Sequence, residues 1–200
     1  MIDTIIAGLW ATTPLEGVSV ILGFLYSVLA VKRSRWCWVA GGISSSILIY
    51  LAWGAKLPMQ AGLQAYYVAM AVYGFWHWTR QDGDAKPGVT TWPIRAHLGA
   101  WAVVLLVSVA SSRWLAGQTQ AAWPFLDSLT TWGSLVATWL VARMKLENWL
   151  YWILMDTISV FLFASQGLYF VALLFAAYLV VSAVGFFTWL RIYRAAAQPT

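Results

Sequence analysis

Seven apolar runs, each cut off by a short cluster of charges or turn residues, constrain this chain more than any other feature. Reading between the breaks gives residues 15–31, 36–55, 58–79, 96–115, 125–142, 147–165 and 168–190. Each is close to the roughly 20 apolar residues that an α-helix needs to cross a hydrocarbon core. The breaks are Lys32-Arg33-Ser34-Arg35, Lys56-Leu57-Pro58, Arg80 to Arg95, Gly117 to Pro124, Arg143-Met144-Lys145 and Gln166-Gly167. Only the segment 80–95 is long and polar, and Arg113 near the end of the fourth run makes that span the least regular. The first residues lack a basic stretch and do not read as a cleavable signal. The patch Ile5–Trp10 reads as interfacial or as an extension of the first helix.

Composition agrees with lipid as the solvent. The chain of 200 residues is 62% hydrophobic and only 10% charged, with mean hydropathy +0.72. A water-soluble domain is nearer 45–50% apolar and about 25% charged. The net charge of +5 does not indicate nucleic acid, because the basic residues form short clusters between apolar runs rather than one face. Seven crossings put ten of the 12 Lys and Arg residues on one side, leaving Lys56 and Arg113 on the other. The positive-inside rule then predicts a cytoplasmic C-terminus and a periplasmic N-terminus. Tryptophans 36, 38, 76, 78, 149, 152 and 189 fall near helix ends, where interfacial belts are expected. The single cysteine, Cys37, excludes an intrachain disulfide and any cysteine-based metal cage.

The chain also repeats. Laid against itself, 15–78 aligns with 126–189 without a gap, pairing Trp38 with Trp149, Gly74 with Gly185, Trp78 with Trp189 and Lys32 with Arg143. The expected fold is therefore all-α, one transmembrane domain over 1–200. It has two three-helix repeats, about 15–79 and 125–190, joined by a linker helix at about 96–115. One intervening helix returns the chain to its starting side, so the repeats run parallel, as in SWEET-type transporters. That architecture points to transport; a duplicated structural bundle is the alternative.

Asp156 is the candidate that stands out. It lies nine residues into its run, about 13.5 Å at roughly 1.5 Å per residue, near the middle of the core. A carboxylate there costs roughly 2.5–3.5 kcal/mol unless it finds a partner, water or a proton. Its equivalent in the first repeat is Ser45. Either it serves a ligand or it is a hydrogen-bonded structural residue. Trp149 and Trp152 share its helical face and could stack a flat ring above it. Gln60, Gln64 and Tyr67 form a second stripe, suited to a ligand amide or hydroxyls and equally to interhelical hydrogen bonds. Gly41 to Ser46 reads as helix packing. Glu16, Asp127 and Glu147 sit at run ends and read as solvated or capping. No phosphate loop, HExxH, CxxC or nucleophile elbow is present, so the chain reads as no enzyme and needs no cofactor. A membrane enzyme using Asp156 and Glu147 is disfavoured, since the two are also about 13.5 Å apart along one helix.

Glu147-Asn148-Trp149-Leu150-Tyr151-Trp152, then Asp156 and Gly167-Leu168-Tyr169, resemble the PnuC family of bacterial vitamin transporters. Trp36-Cys37-Trp38, Gly42-Ile43-Ser44-Ser45, Ala61-Gly62-Leu63-Gln64 and Tyr73-Gly74 are similar to that family's first half. The resemblance covers about residues 13–191. It implies a three-plus-one-plus-three fold in the bacterial inner membrane and facilitated diffusion of nicotinamide riboside, with thiamine or another flat vitamin as the alternative. It implies a substrate site at Trp149, Trp152 and Asp156, trapping of the substrate by a cytoplasmic kinase, and a homotrimer. No nucleic-acid partner is expected.

Overall fold

The computed structural model describes residues 13–56, 58–80, 88–118 and 123–197. Seven α-helices account for nearly all of them: α1 Pro14–Val31, α2 Trp36–Gly54, α3 Pro58–Arg80, α4 Ile94–Gln118, α5 Pro124–Ala142, α6 Asn148–Ser165 and α7 Tyr169–Ala197. The helices begin where the sequence supplies a start. Thr13 and Glu16 close a capping box around Pro14, satisfying first-turn N–H groups that have no intrahelical acceptor. α5 also begins with a proline, Pro124, but without a side-chain cap from Trp123. The patch Ile5–Trp10 lies outside the described residues.

Helix ends are closed by Schellman turns, which need one residue in the left-handed region. Arg33, Lys56, Met144 and Gly167 fill it, with φ of 53°, 58°, 52° and 75°. Ser34 N–H bonds Leu29 O at 3.0 Å after α1, and Lys145 N–H bonds Leu140 O at 2.9 Å after α5. The self-alignment of the chain lays these two turns on each other, and with them Arg33 on Met144 and Lys56 on Gly167.

α2 packs between α1 and α3, and α6 packs against α5 and α7; across the molecule α1 meets α7 and α3 meets α5. α4 lies against α5. At the end of the bundle carrying the basic clusters, four tryptophans run ring to ring: Trp38–Trp78, Trp78–Trp189 and Trp189–Trp149, with centroids 5.5, 6.5 and 5.4 Å apart. Of the tryptophans expected in an interfacial belt, Trp36 and Trp76 are exposed, but Trp38, Trp78, Trp149 and Trp189 are buried. They sit inward because glycines make room. An added Cβ at Gly74 or Gly185 would overlap the ring of Trp38 or Trp149.

Two hydrogen bonds tie this layer across the molecule. Trp78 Nε1 donates to Ala142 O at 3.0 Å, and Trp189 Nε1 donates to Val31 O at 3.1 Å. Each acceptor is the last residue of its helix, where a carbonyl lacks an intrahelical donor. The segment before α4 adds a strap. Thr90 pairs with Met144 and Leu146 through backbone bonds, and Val89 is buried in the core. Glu147 completes it, accepting Trp92 N–H at 2.9 Å with His97 Nε2 at 3.7 Å. The solvated or capping role expected of Glu147 gives way to this tether.

Large apolar side chains, Ile21, Val72, Leu106 and Val180 among them, face outward around the bundle, the reverse of what water requires. α1, α2, α4 and α7 are each long and apolar enough to cross a membrane. α3, α5 and α6 supply most of the polar lining of the cavity described next.

Candidate functional site

A cavity of about 380 Å³ lies between the first three and the last three helices. All six residues singled out in the sequence, Gln60, Gln64, Tyr67, Trp149, Trp152 and Asp156, border it. Helical spacing explains this. Gln60, Gln64 and Tyr67 follow one another about one turn apart on α3, and Trp149, Trp152 and Asp156 do the same on α6, so each set shares a face.

Asp156 is the most deeply buried carboxyl on the cavity wall. It is only 3% exposed, and Ser182 Oγ on α7 donates to its Oδ2 at 3.1 Å. Among the described residues no lysine or arginine borders the cavity, whereas Asp127 does. Any charge that these two carboxyls carry is negative, which favours a cation over an anion. Asp127, in the first turn of α5, is exposed as expected of a solvated residue and also borders the cavity. Glu16, its equivalent in the first repeat, does cap its helix.

The two tryptophans have different settings. Trp149 is buried on Gly185 and meets Trp189 edge-on at 89°. Its indole N–H has no hydrogen-bond partner among the described residues, and neither does that of Trp38 or the hydroxyl of Tyr26, although all three residues border the cavity. Buried polar groups left this way are ordinarily met by water or ligand. Trp152 is only half-buried and carries no such constraint, so it is the better surface for stacking. Where the second half has Trp152 packed against a cluster that includes Ala137, the first has Gly41 under the ring of Tyr26. The aromatic has moved from α1 to α6 and the small residue the other way.

Sequence reasoning missed the contribution of α7. Phe175, Tyr178 and Ser182 border the cavity, and Phe175 stacks on Phe163 at 5.2 Å. Their spacing was visible, but α7 is apolar all round, and no polar stripe marked one face. No group of three metal-ligating side chains occurs among the described residues.

Residues 13–191 match the family model described as nicotinamide mononucleotide transporter. The riboflavin/roseoflavin transporter RibM of Streptomyces davaonensis is 30% identical, covering 90% of this chain and 85% of its own. The nicotinamide riboside transporter PnuC of Escherichia coli is 25% identical, with 94% and 90% covered. Among solved structures, that of the vitamin B3 transporter PnuC matches with TM-score 0.74 at 22% identity, covering 96% of this chain and 88% of that one.

Proposed function

This chain belongs to the nicotinamide mononucleotide transporter family, and on that premise we propose that it carries nicotinamide riboside into the bacterial cell by facilitated diffusion. One observation carries the choice of substrate: a buried carboxylate, Asp156, faces a cavity that no lysine or arginine borders among the described residues. A cationic pyridinium ring supplies the missing charge. Trp152 stacks the ring, Asp156 neutralises it, and Gln60, Gln64 and Tyr67 hydrogen-bond the amide and ribose. Trp149 backs the site and offers its unpartnered N–H to a ligand oxygen. Thiamine, also a flat cation, satisfies the same carboxylate. Riboflavin is a second reading, favoured by the 30% identity to RibM.

In this reading all seven helices cross the membrane as two parallel three-helix units around α4. The Schellman turns and indole bonds that recur at equivalent positions of the two units support that arrangement. The C-terminus is cytoplasmic, the substrate site opens alternately as one unit rocks on the other, and a cytoplasmic kinase traps the product.

Uptake of labelled nicotinamide riboside, thiamine and riboflavin into proteoliposomes tests it. Saturable nicotinamide riboside flux is expected, with accumulation only when a riboside kinase and ATP are enclosed. Flux confined to another vitamin reassigns the substrate. No saturable flux for any of the three would sink the transport reading.

A further inference from the structure

Hydroxyl side chains on these helices share a habit. Ser46, Thr79, Ser111, Thr138 and Thr157 each donate to the carbonyl four residues back. That bond satisfies the hydroxyl within its own helix and asks nothing of the fold. Ser44, which donates to Ser19 O on α1, is one exception, and Ser182 is another. Its proton goes across the α6–α7 contact to Asp156 Oδ2, with both side chains buried and both bordering the cavity.

The pair is also peculiar to one half. The equivalent positions of the first repeat hold Ser45 and Ala71, so the carboxylate and its donor appear together or not at all. A carboxylate offers two oxygens and about four acceptor sites. A donor fixed on Oδ2 settles the rotamer and leaves Oδ1 for the cavity. A hydrogen bond from a neutral hydroxyl also lowers the cost of holding a negative charge in a dry site without cancelling it, which a lysine would do.

One turn before Ser182, Tyr178 gives an independent sign that this wall is specialised. Tyr67, its equivalent in the first repeat, faces Ser134 across the molecule. The equivalent of Ser134 is Gly23, and a Cβ there would lie 3.0 Å from Tyr178 Oη. With glycine in place of serine, the Tyr178 hydroxyl makes no hydrogen bond among the described residues. It is left within electrostatic range of Asp156.

We propose that Ser182 is a positioning residue: it holds the Asp156 carboxylate toward the cavity and so sets the preference for a positively charged vitamin ring over a neutral ring of the same shape. The proposal rests on the transport function above. Nicotinamide riboside and its dihydro form differ little in shape, but only the first has a cationic ring. Both are offered to the full chain in proteoliposomes, as labelled substrates at varied concentration.

The wild type is expected to favour the cation by about tenfold or more, the scale of a charged hydrogen bond. Ser182→Ala should cut that preference about fivefold through the KM of the cation, with the maximal rate less affected. Ser182→Thr, which keeps the hydroxyl, should restore it, and Asp156→Asn should remove it. Equal loss for both forms in Ser182→Ala, failure of Ser182→Thr to restore the preference, or a wild type without preference overturns the positioning role while transport stands. A wild type that carries neither form overturns both.

Discussion

The Trp149 ring lies directly on the backbone of Gly185, and Trp38 lies on Gly74 in the same manner. A methyl group at either glycine must displace an indole whose other neighbours are also buried, and overpacking of that kind costs about 1–3 kcal/mol. Gly185→Ala and Gly74→Ala should each lower the melting temperature of the purified protein by several degrees. Gly54→Ala, where an added Cβ meets nothing within 4 Å, should leave it unchanged or raise it. Melting curves in one detergent decide the matter, and equal effects at all three positions would contradict the packing described. At this scale the sequence is unevenly legible. Asp156 announces itself because a carboxylate nine residues into an apolar run has few explanations. Ser182 does not, because a serine in an apolar helix ordinarily bonds its own backbone. Glu147 misleads for a related reason: its partner, the Trp92 N–H, lies far away along the chain in a loop that no periodicity describes.

Among the helices, boundaries are the most legible feature, since prolines, charges and the Gly167 turn punctuate the apolar runs. The strap over the α5–α6 turn and the indole bonds are not legible, because both depend on which helix ends meet. Those bonds should weigh on opening at the basic end of the bundle. Cys37, the only cysteine in the chain, is fully buried in that layer. Trp78→Phe keeps an aromatic ring but removes the donor to Ala142 O, a net loss of about 0.5–1.5 kcal/mol. If the bond holds that end shut, alkylation of Cys37 by a maleimide should quicken by roughly two- to tenfold. Trp189→Phe should do the same through Val31, and unaltered rates would show that neither bond restrains opening.

On the scale of the whole molecule, the charge asymmetry predicts an orientation. With the seven crossings proposed above, ten of the 12 basic residues fall on one side, so a protease site added after Thr200 should be cut from the cytoplasmic face alone. Cleavage from outside in intact spheroplasts would reverse the proposed topology. The reciprocal indole-to-carbonyl bonds have a consequence in the protein's ancestry. Each three-helix unit carries both a donor and an unfilled helix end, so a unit of this kind is self-complementary, and two identical copies could have closed on one another about a twofold axis. Such a homodimer is held to symmetry: a carboxylate gained on one side of its cavity is gained on both, and two anions must then share one small space. Fusing two such copies into one chain would lift that restriction, leaving Ser45 and Ala71 free to stand where the second unit has Asp156 and Ser182.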